Sequence, residues 1–355
     1  MKKHNFSAGP GILPSEVLKQ ASSAVLNFKN TGLSVLEISH RSKEFVTVME
    51  KARRLALELT ELENKGYQAL FMHGGASFQF VQVAQNLLER KAAYINTGTW
   101  ASKAIQEARF FGEVLEVASS KDQKFTYIPK GFDIPAGMSY VHCTSNNTIY
   151  GTQFKKFPKP TAPLVCDMSS DIFSRAIDYS QFDLIYAGAQ KNMGPAGTTL
   201  VIVKENILGN VSRAIPKYMN YKQHIDKESM YNTPSVFAVY CSMLTLEWIK
   251  NKGGLTTIEK ENNRKASLLY EELDANELFV PNISIQEDRS MMNVTFKLKD
   301  DYHKDVFESL LAESGISGLN GHRSVGGYRA SIYNALPFES VKLLTEIMQQ
   351  LKNKV

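Results

Sequence analysis

At 355 residues, 43% of them hydrophobic, the chain is long enough to bury a large core, and its size favours two domains or one large and one small. Lysine and arginine number 41 against 36 acids, a net charge of +5 without a run of like sign, which argues against a nucleic-acid surface and suits small anionic ligands. Cys143, Cys166 and Cys241 are widely spaced, and the N-terminus has no apolar leader, so we expect a reducing, cytoplasmic setting. No stretch is apolar enough to span a membrane, and the seven histidines lack the paired spacing of a metal site, so neither is expected. The sequon at Asn146-Asn-Thr148 carries no weight without a leader.

In chain order, the first clear element is a helix over residues 45–62. Phe45, Val48, Met49, Ala52, Leu55, Ala56, Leu59 and Leu62 recur at helical spacing, with Ser42 placed to cap them. Strands and helices then alternate: a strand at 67–72, a helix face of Phe80, Val81, Ala84, Leu87 and Leu88, a strand at 92–95 and a helix at 100–110. Further strands are expected at 113–118, 139–143, 164–167, 183–187 and 198–203. Several are short continuous apolar runs, the pattern of strands covered on both faces, so the chain reads as α/β with a mostly parallel sheet. A helix at 238–250 leads to Gly253-Gly254, and the pattern changes after about residue 260. Alternating runs at 282–285, 292–296 and 328–333, a helix through 307–311 and a closing helix over 341–351 suggest a small α+β domain. We expect a large domain over 16–260 and a small one over 261–355, joined by residues 1–15.

The chemistry centres on Lys191, in Gly188-Ala-Gln-Lys191-Asn-Met-Gly194-Pro-Ala-Gly197 at the end of an apolar strand. Asp167 ends another such run, Pro163-Leu-Val-Cys-Asp167. A strand-end amine beside a strand-end acid suits pyridoxal phosphate: the amine forms a Schiff base, and the carboxylate keeps the pyridine nitrogen protonated. His73-Gly-Gly-Ala76-Ser77 follows a strand and opens a helix, which makes an anion site or simply a tight turn. Trp100, one of only two tryptophans, stands where a ring could stack on a flat cofactor, although a core position is the commoner fate. The Ser145–Gly151 loop is polar, and Asn232-Thr233-Pro234-Ser235 either caps a helix or donates to a phosphate. The loops that follow strands share one rim, where open α/β sheets bind ligands. Two His-Arg pairs, His40-Arg41 and His322-Arg323, together with Arg329 suggest a site for a substrate anion, since Arg forks grip carboxylate and phosphate at two points.

These segments, taken in order, resemble the phosphoserine aminotransferases, a class-V family of fold-type I pyridoxal phosphate enzymes. Asn5-Phe-Ser-Ala-Gly-Pro10, His40-Arg41, Gly74-Gly-Ala76, Trp100, Asn147-Thr148-Ile, Asp167-Met-Ser-Ser, Tyr186-Ala-Gly-Ala-Gln-Lys191-Asn, Asn232-Thr233-Pro234 and Gly321-His-Arg-Ser-Val-Gly-Gly-Tyr-Arg329 carry the likeness. Ser77 departs from it, standing where some members carry a basic residue, and so does Met193, which replaces a branched aliphatic. The resemblance implies that Lys191 forms the Schiff base, Asp167 pairs with the ring nitrogen, Trp100 stacks on the ring and Thr148 bonds near its phenolic oxygen. Ala76, Ser77 and Gln190 would hold the cofactor phosphate, with Asn232 and Thr233 supplied across the interface of a homodimer. His40, Arg41, His322 and Arg323 would receive the substrate phosphate or the distal carboxylate of glutamate, and Arg329 the α-carboxylate. The implied reaction converts 3-phosphohydroxypyruvate and L-glutamate to O-phospho-L-serine and 2-oxoglutarate, in serine synthesis and, for many members, with a four-carbon counterpart in vitamin B6 synthesis. The remaining readings are another fold-type I enzyme, such as an alanine–glyoxylate-type aminotransferase or a desulfurase, and a catalytically silent protein on the same scaffold. The first would keep Lys191 and Asp167 without needing two His-Arg pairs.

Overall fold

The structure, a computed structural model, describes residues 3–354. Its first long helix is set by Ser42, whose hydroxyl accepts from the Phe45 amide at 3.4 Å, and by an apolar stripe that buries seven side chains from Phe45 to Leu59. In chain order the elements are β1 (His4–Asn5), α1 (Ser15–Leu26), α2 (Lys43–Leu59), β2 (Tyr67–Met72), α3 (Gly75–Leu87), β3 (Lys91–Asn96), α4 (Thr99–Ala108), β4 (Glu113–Ser119), β5 (Val141–Thr144), β6 (Leu164–Asp167), β7 (Leu184–Gly188) and β8 (Thr199–Lys204). There follow α5 (Tyr221–Asp226), α6 (Val236–Asn251), α7 (Gly254–Ala275), β9 (Phe279–Pro281), β10 (Asn293–Leu298), α8 (Lys304–Glu313), β11 (Ile316–Ser317), β12 (Tyr328–Ser331) and α9 (Phe338–Lys354).

Seven strands form one sheet in the order β2-β8-β7-β6-β5-β3-β4. Pairing is parallel from β7 through β6, β5 and β3 to β4, and antiparallel only where β8 lies between β7 and β2. With β8 reversed, β2 runs in the same direction as β7, so the carboxyl ends of β2, β3, β5, β6 and β7 meet on one rim. Alternation along the strands serves two faces. Ile185 and Ala187 of β7 join the core under α1, α2 and α6, while Leu184 and Tyr186 join the core under α3 and α4. This is the mostly parallel sheet with helices on both faces that the apolar runs suggested.

A three-stranded antiparallel sheet, β12-β10-β9, packs with α8 and α9 around a separate core that also takes in Phe6 of the N-terminal segment. The 22-residue α7 serves both units: Leu255 and Ile258 belong to the large core, and Ala266, Leu269 and Leu273 to the small one. Between them Lys265 is 2% exposed, its ammonium donating to the carbonyls of Ile332, Tyr333 and Leu336 at 3.0, 2.7 and 3.2 Å.

Three details differ from the sequence expectations. The strand expected at 282–285 is instead β9 at Phe279–Pro281. Pro281 has no amide to extend the ladder, and beyond it only Ile283 dips into the core before a helical turn at Gln286–Asp288. Two of the longer helices, like the short α5, have no counterpart in the sequence reading. α1 buries Val17 and only small residues, Ala21 and Ala24, so its apolar signal is faint. The stripe of α7 is broken by buried Asn262, Lys265 and Glu272.

Candidate active site

Asp167 ends β6 and Lys191 follows the end of the adjacent parallel strand β7, so strand pairing alone brings acid and amine to the same stretch of rim. Asp167 is buried, and its Oδ1 accepts from the Ser169 amide at 2.9 Å and the Ser169 hydroxyl at 2.6 Å. Burial pushes its pKa above the ordinary carboxylate value, against the opposing pull of Lys191 and the Ser169 bonds. The Lys191 ammonium moves the other way. Burial lowers its pKa, Asp167 opposes that shift, and Arg329 adds to it.

Trp100, in the first turn of α4, faces the Lys191 ammonium. Its ring centre is 5.8 Å from the Lys191 ammonium, and its Nε1 donates to Thr148 Oγ1 at 3.1 Å. Thr148 is buried in the loop after β5, and its carbonyl accepts from Arg329 Nη1 at 2.9 Å. Three elements are thereby strung together: the start of α4, the loop after β5, and β12 of the smaller sheet. Asn147 locks the second to the first, its amide donating to the Thr97 carbonyl at 2.6 Å, and the close passage of that amide leaves no room for a Cβ at Gly98.

Ala76 and Ser77 lie in the first turn of α3, which no side chain caps, so their amides point out of the helix with no intrahelical partner. Gly74 makes the turn at φ 90°, where a Cβ would also lie 2.5 Å from Phe78 Cβ. The Ser77 side chain is exposed. Gln190 immediately precedes Lys191 and is held through its carbonyl, which accepts from the Gly11 amide at 2.7 Å. Asn232 and Thr233 precede α6, and the Thr233 carbonyl accepts from His73 Nε2 at 3.0 Å, beside the turn into α3.

His322, Arg323 and Arg329 share the segment entering β12. The His322 pKa is lowered by burial first, then by Arg329, Arg323 and Lys103, so these cations share one neighbourhood. Arg329 is half-buried, its Nε is buried without a partner, and burial lowers its pKa. His40 and Arg41 stand apart, in the turn before α2. Their pairing there is local, with the Arg41 amide bound to Ser39 Oγ at 3.2 Å, and His40 Nε2 is buried without a partner. Among the described residues no hydrogen bond or ion pair joins this turn to Lys191, Asp167, Trp100 or Arg329.

The sequence reading passed over Lys103, whose ammonium lies 4.8 Å from the Trp100 ring centre. Its place one turn along the helix from Trp100 was an available signal. It also passed over Ser169 as a partner of Asp167, although Asp-x-Ser stood in the motif. Among the described residues no group of His, Cys, Asp or Glu could hold a metal ion, and no helix is long and apolar enough to cross a membrane. All three cysteines are buried and unpaired.

The residues fit pyridoxal phosphate. A buried carboxylate needs a cationic partner such as a pyridinium, a desolvated amine stands on the next strand, an indole plate lies alongside, and an uncapped helix start awaits an anion.

Residues 3–344 match the model of the family described as aminotransferase class-V. The chain is 63% identical to a phosphoserine aminotransferase of Flavobacterium johnsoniae over the full length of both. Among solved structures, phosphoserine aminotransferase from Bacillus circulans subsp. alkalophilus superposes with a TM-score of 0.95 at 41% identity, covering 99% of each chain. A phosphoserine aminotransferase from Trichomonas vaginalis with pyridoxal phosphate bound superposes at 0.91 with 35% identity, covering 98% of this chain and 100% of that one.

Proposed function

The chain belongs to the class-V aminotransferases, and from that premise we propose that it moves the amino group of L-glutamate to 3-phosphohydroxypyruvate, giving O-phospho-L-serine and 2-oxoglutarate in serine synthesis. The cofactor is pyridoxal 5'-phosphate, which supplies an aldehyde to carry the amino group and a ring to accept electrons from the substrate Cα. The observation that supports this reading is the cationic group of His322, Arg323 and Arg329, of which Arg329 acts on Lys191 and bonds the same Thr148 that holds Trp100.

In this reading Lys191 carries the cofactor and Asp167 holds the ring nitrogen charged, with Ser169 keeping the carboxylate aimed. Trp100 would cover the ring, and Thr148, already bonded to the indole, would serve its phenolic oxygen. The first-turn amides of α3 at Ala76 and Ser77, together with Gln190, receive the cofactor phosphate. Arg329 forks onto the substrate α-carboxylate, using the Nε that has no protein partner. The Lys191 amine, whose pKa burial lowers, would take the proton from Cα as a base once free of the cofactor. His322 and Arg323 then meet either the γ-carboxylate of glutamate or the phosphate of the keto acid, and His322 adds charge for the dianion.

His40, Arg41, Asn232 and Thr233 complete the site of a second copy in a homodimer. The isolation of His40 and Arg41 from their own Lys191 supports this, and so do the exposed leucines at the same end of the chain: Leu26, Leu33 and Leu36 are 81%, 49% and 61% exposed. The same phosphate site suits the four-carbon substrate whose product is 4-phosphohydroxythreonine, on the route to vitamin B6. The buried free cysteines accord with a cytoplasmic enzyme. The small unit is residues 261–355 with 1–15, an assignment supported by Phe6 packing among side chains of that stretch.

The test is a panel of amino acceptors with glutamate as donor. Phosphorylated keto acids should exceed glyoxylate and pyruvate in kcat/KM by about 100-fold, the effect of two charge-assisted contacts. Equal rates with glyoxylate would overturn the assignment.

A further inference from the structure

Asn192 follows Lys191 directly and is 4% exposed. Its amide is used at both ends: Nδ2 donates to the Ser170 carbonyl at 3.0 Å, and Oδ1 accepts from the Asn334 amide at 3.0 Å. Ser170 is three residues past Asp167, and Asn334 is five past Arg329. One side chain therefore touches the loop of the amine, the loop of the ring acid and the chain leaving the strand of the carboxylate fork.

The bridge belongs to a closed circuit. Ser170 Oγ accepts from Asn146 Nδ2 at 2.8 Å, and that same nitrogen donates to Asn293 Oδ1 at 2.8 Å. Asn293 Nδ2 donates to Ser331 Oγ at 3.0 Å, two residues beyond Arg329. From Asn334 the path returns through Asn192 to Ser170. Asn334 is anchored in turn, donating to the Phe173 carbonyl at 2.9 Å and accepting from Asn262 at 2.8 Å. Every residue of the circuit is buried. Satisfied buried amides of this kind hold one geometry, because any displacement strands a donor or an acceptor in a medium without water.

We propose that Asn192 is a positioning residue for amino transfer, fixing the reach between the Lys191 amine and the Arg329 guanidinium by tying the Lys191 loop to Ser170 and Asn334 at once. The inference rests on the reading that Lys191 and Arg329 act on one substrate. That substrate must present its Cα to the amine while its carboxylate is gripped from the other sheet, so the span between the two groups determines the rate. No smaller or isosteric side chain does both jobs. Alanine supplies neither bond, and aspartate keeps the acceptor but sets a carboxylate oxygen against the Ser170 carbonyl.

The experiment uses the holoenzyme carrying Asn192→Ala, or Asn192→Asp where the alanine variant fails to fold, each alone and combined with Arg329→Lys. The kcat for glutamate should fall about 10- to 100-fold, the cost of roughly 1 Å of misplacement, with KM changing less. The charged groups acting on Lys191 are Asp167, Asp171 and Arg329. Loosening the bridge in Asn192→Ala changes how these charges face the amine, so the pH titration of the bound cofactor's visible band should move from its wild-type position. With Arg329→Lys the losses should combine to less than their product, because both changes spoil one alignment. Losses that multiply fully, or a lowered melting temperature with kcat and the visible titration unchanged, would make Asn192 a packing residue only and overturn the proposal. The wild-type enzyme, run beside the variants with the phosphorylated keto acid, tests the functional reading itself. Wild-type turnover with additive variants sinks only the role of Asn192.

Discussion

The cofactor side of the site and the substrate side are built differently. Asp167, Thr148 and the Lys191 turn stand at strand ends of the seven-stranded sheet; hydrogen bonds tie Asp167 to Ser169 and Thr148 to Trp100 and Arg329, while Asn147 beside Thr148 binds Thr97. The substrate cations other than Arg329 sit on loops. Arg323 and Arg41 are exposed, and the described side-chain bonding of His322 reaches only Ser324 two residues on, at 2.7 Å. The first arrangement suits a resident group whose electronics must not vary. The second suits visitors of two shapes, a carboxylate and a phosphate, because loosely held cations can regroup around either. Rigidity and pliancy thus divide along the boundary between what stays and what leaves.

The largest break in this contrast should come from Lys191→Ala. It removes both the covalent anchor and the base, and should lower turnover by at least about 10⁴-fold, at the top of the range for lost proton-transfer groups. Purified protein should also lose the visible band of the lysine-bound cofactor, read by absorbance. Arg329→Lys exchanges a fork for a point charge at the one cation tied to the rigid side. The loss in kcat/KM for both substrates should be about 2–5 kcal/mol, and steady-state kinetics with an unchanged KM for glutamate would contradict the role. Arg323→Ala acts on the pliant side and should be selective, costing about tenfold with the phosphorylated keto acid and less with glutamate. The same contrast should appear in pH. His322 has a lowered pKa in the free enzyme and is therefore neutral at pH 7; a bound dianion raises that pKa, so phosphate binding should take up a proton and tighten as pH falls towards 6. Calorimetry in buffers of different ionisation enthalpy reads that uptake, which should exceed whatever the singly charged γ-carboxylate of glutamate draws at the same imidazole. Smallest of all is Ser77→Ala: the side chain is exposed and the backbone amide remains, so cofactor affinity should change by less than about threefold in an equilibrium dialysis measurement.

Much of this site was legible because its residues sit where strand patterning places them. Asp167 and Lys191 each follow an apolar run, and two such runs pair side by side, so their meeting needed only the parallel sheet. Trp100 and the Gly74-Gly75 turn followed from the same logic. Lys103 was not read, because an exposed lysine on a helix looks like solvated surface until the ring it covers is known. Asn192 was missed for a different reason. A buried amide bonded to backbone atoms distant in sequence has no periodicity, and nothing in the order of residues says that Ser170 and Asn334 will face it. α7 hid through the same effect, since buried Lys265 and Asn262 interrupt its stripe, and their partners are carbonyls and amides brought in by the fold. The reversed β8 was equally silent, since an apolar run has the same composition in either direction.

The helix shared by the two cores has a consequence for how the molecule comes apart. A cut near residue 260 would sever α7 between Ile258 and Ala266 and leave each fragment with a frayed stump of the helix that carries part of its core. Neither half is then a detachable module. The enzyme should melt in one step and resist protease nicking at this junction, and the carboxylate grip and the reactive amine should be lost together rather than one before the other.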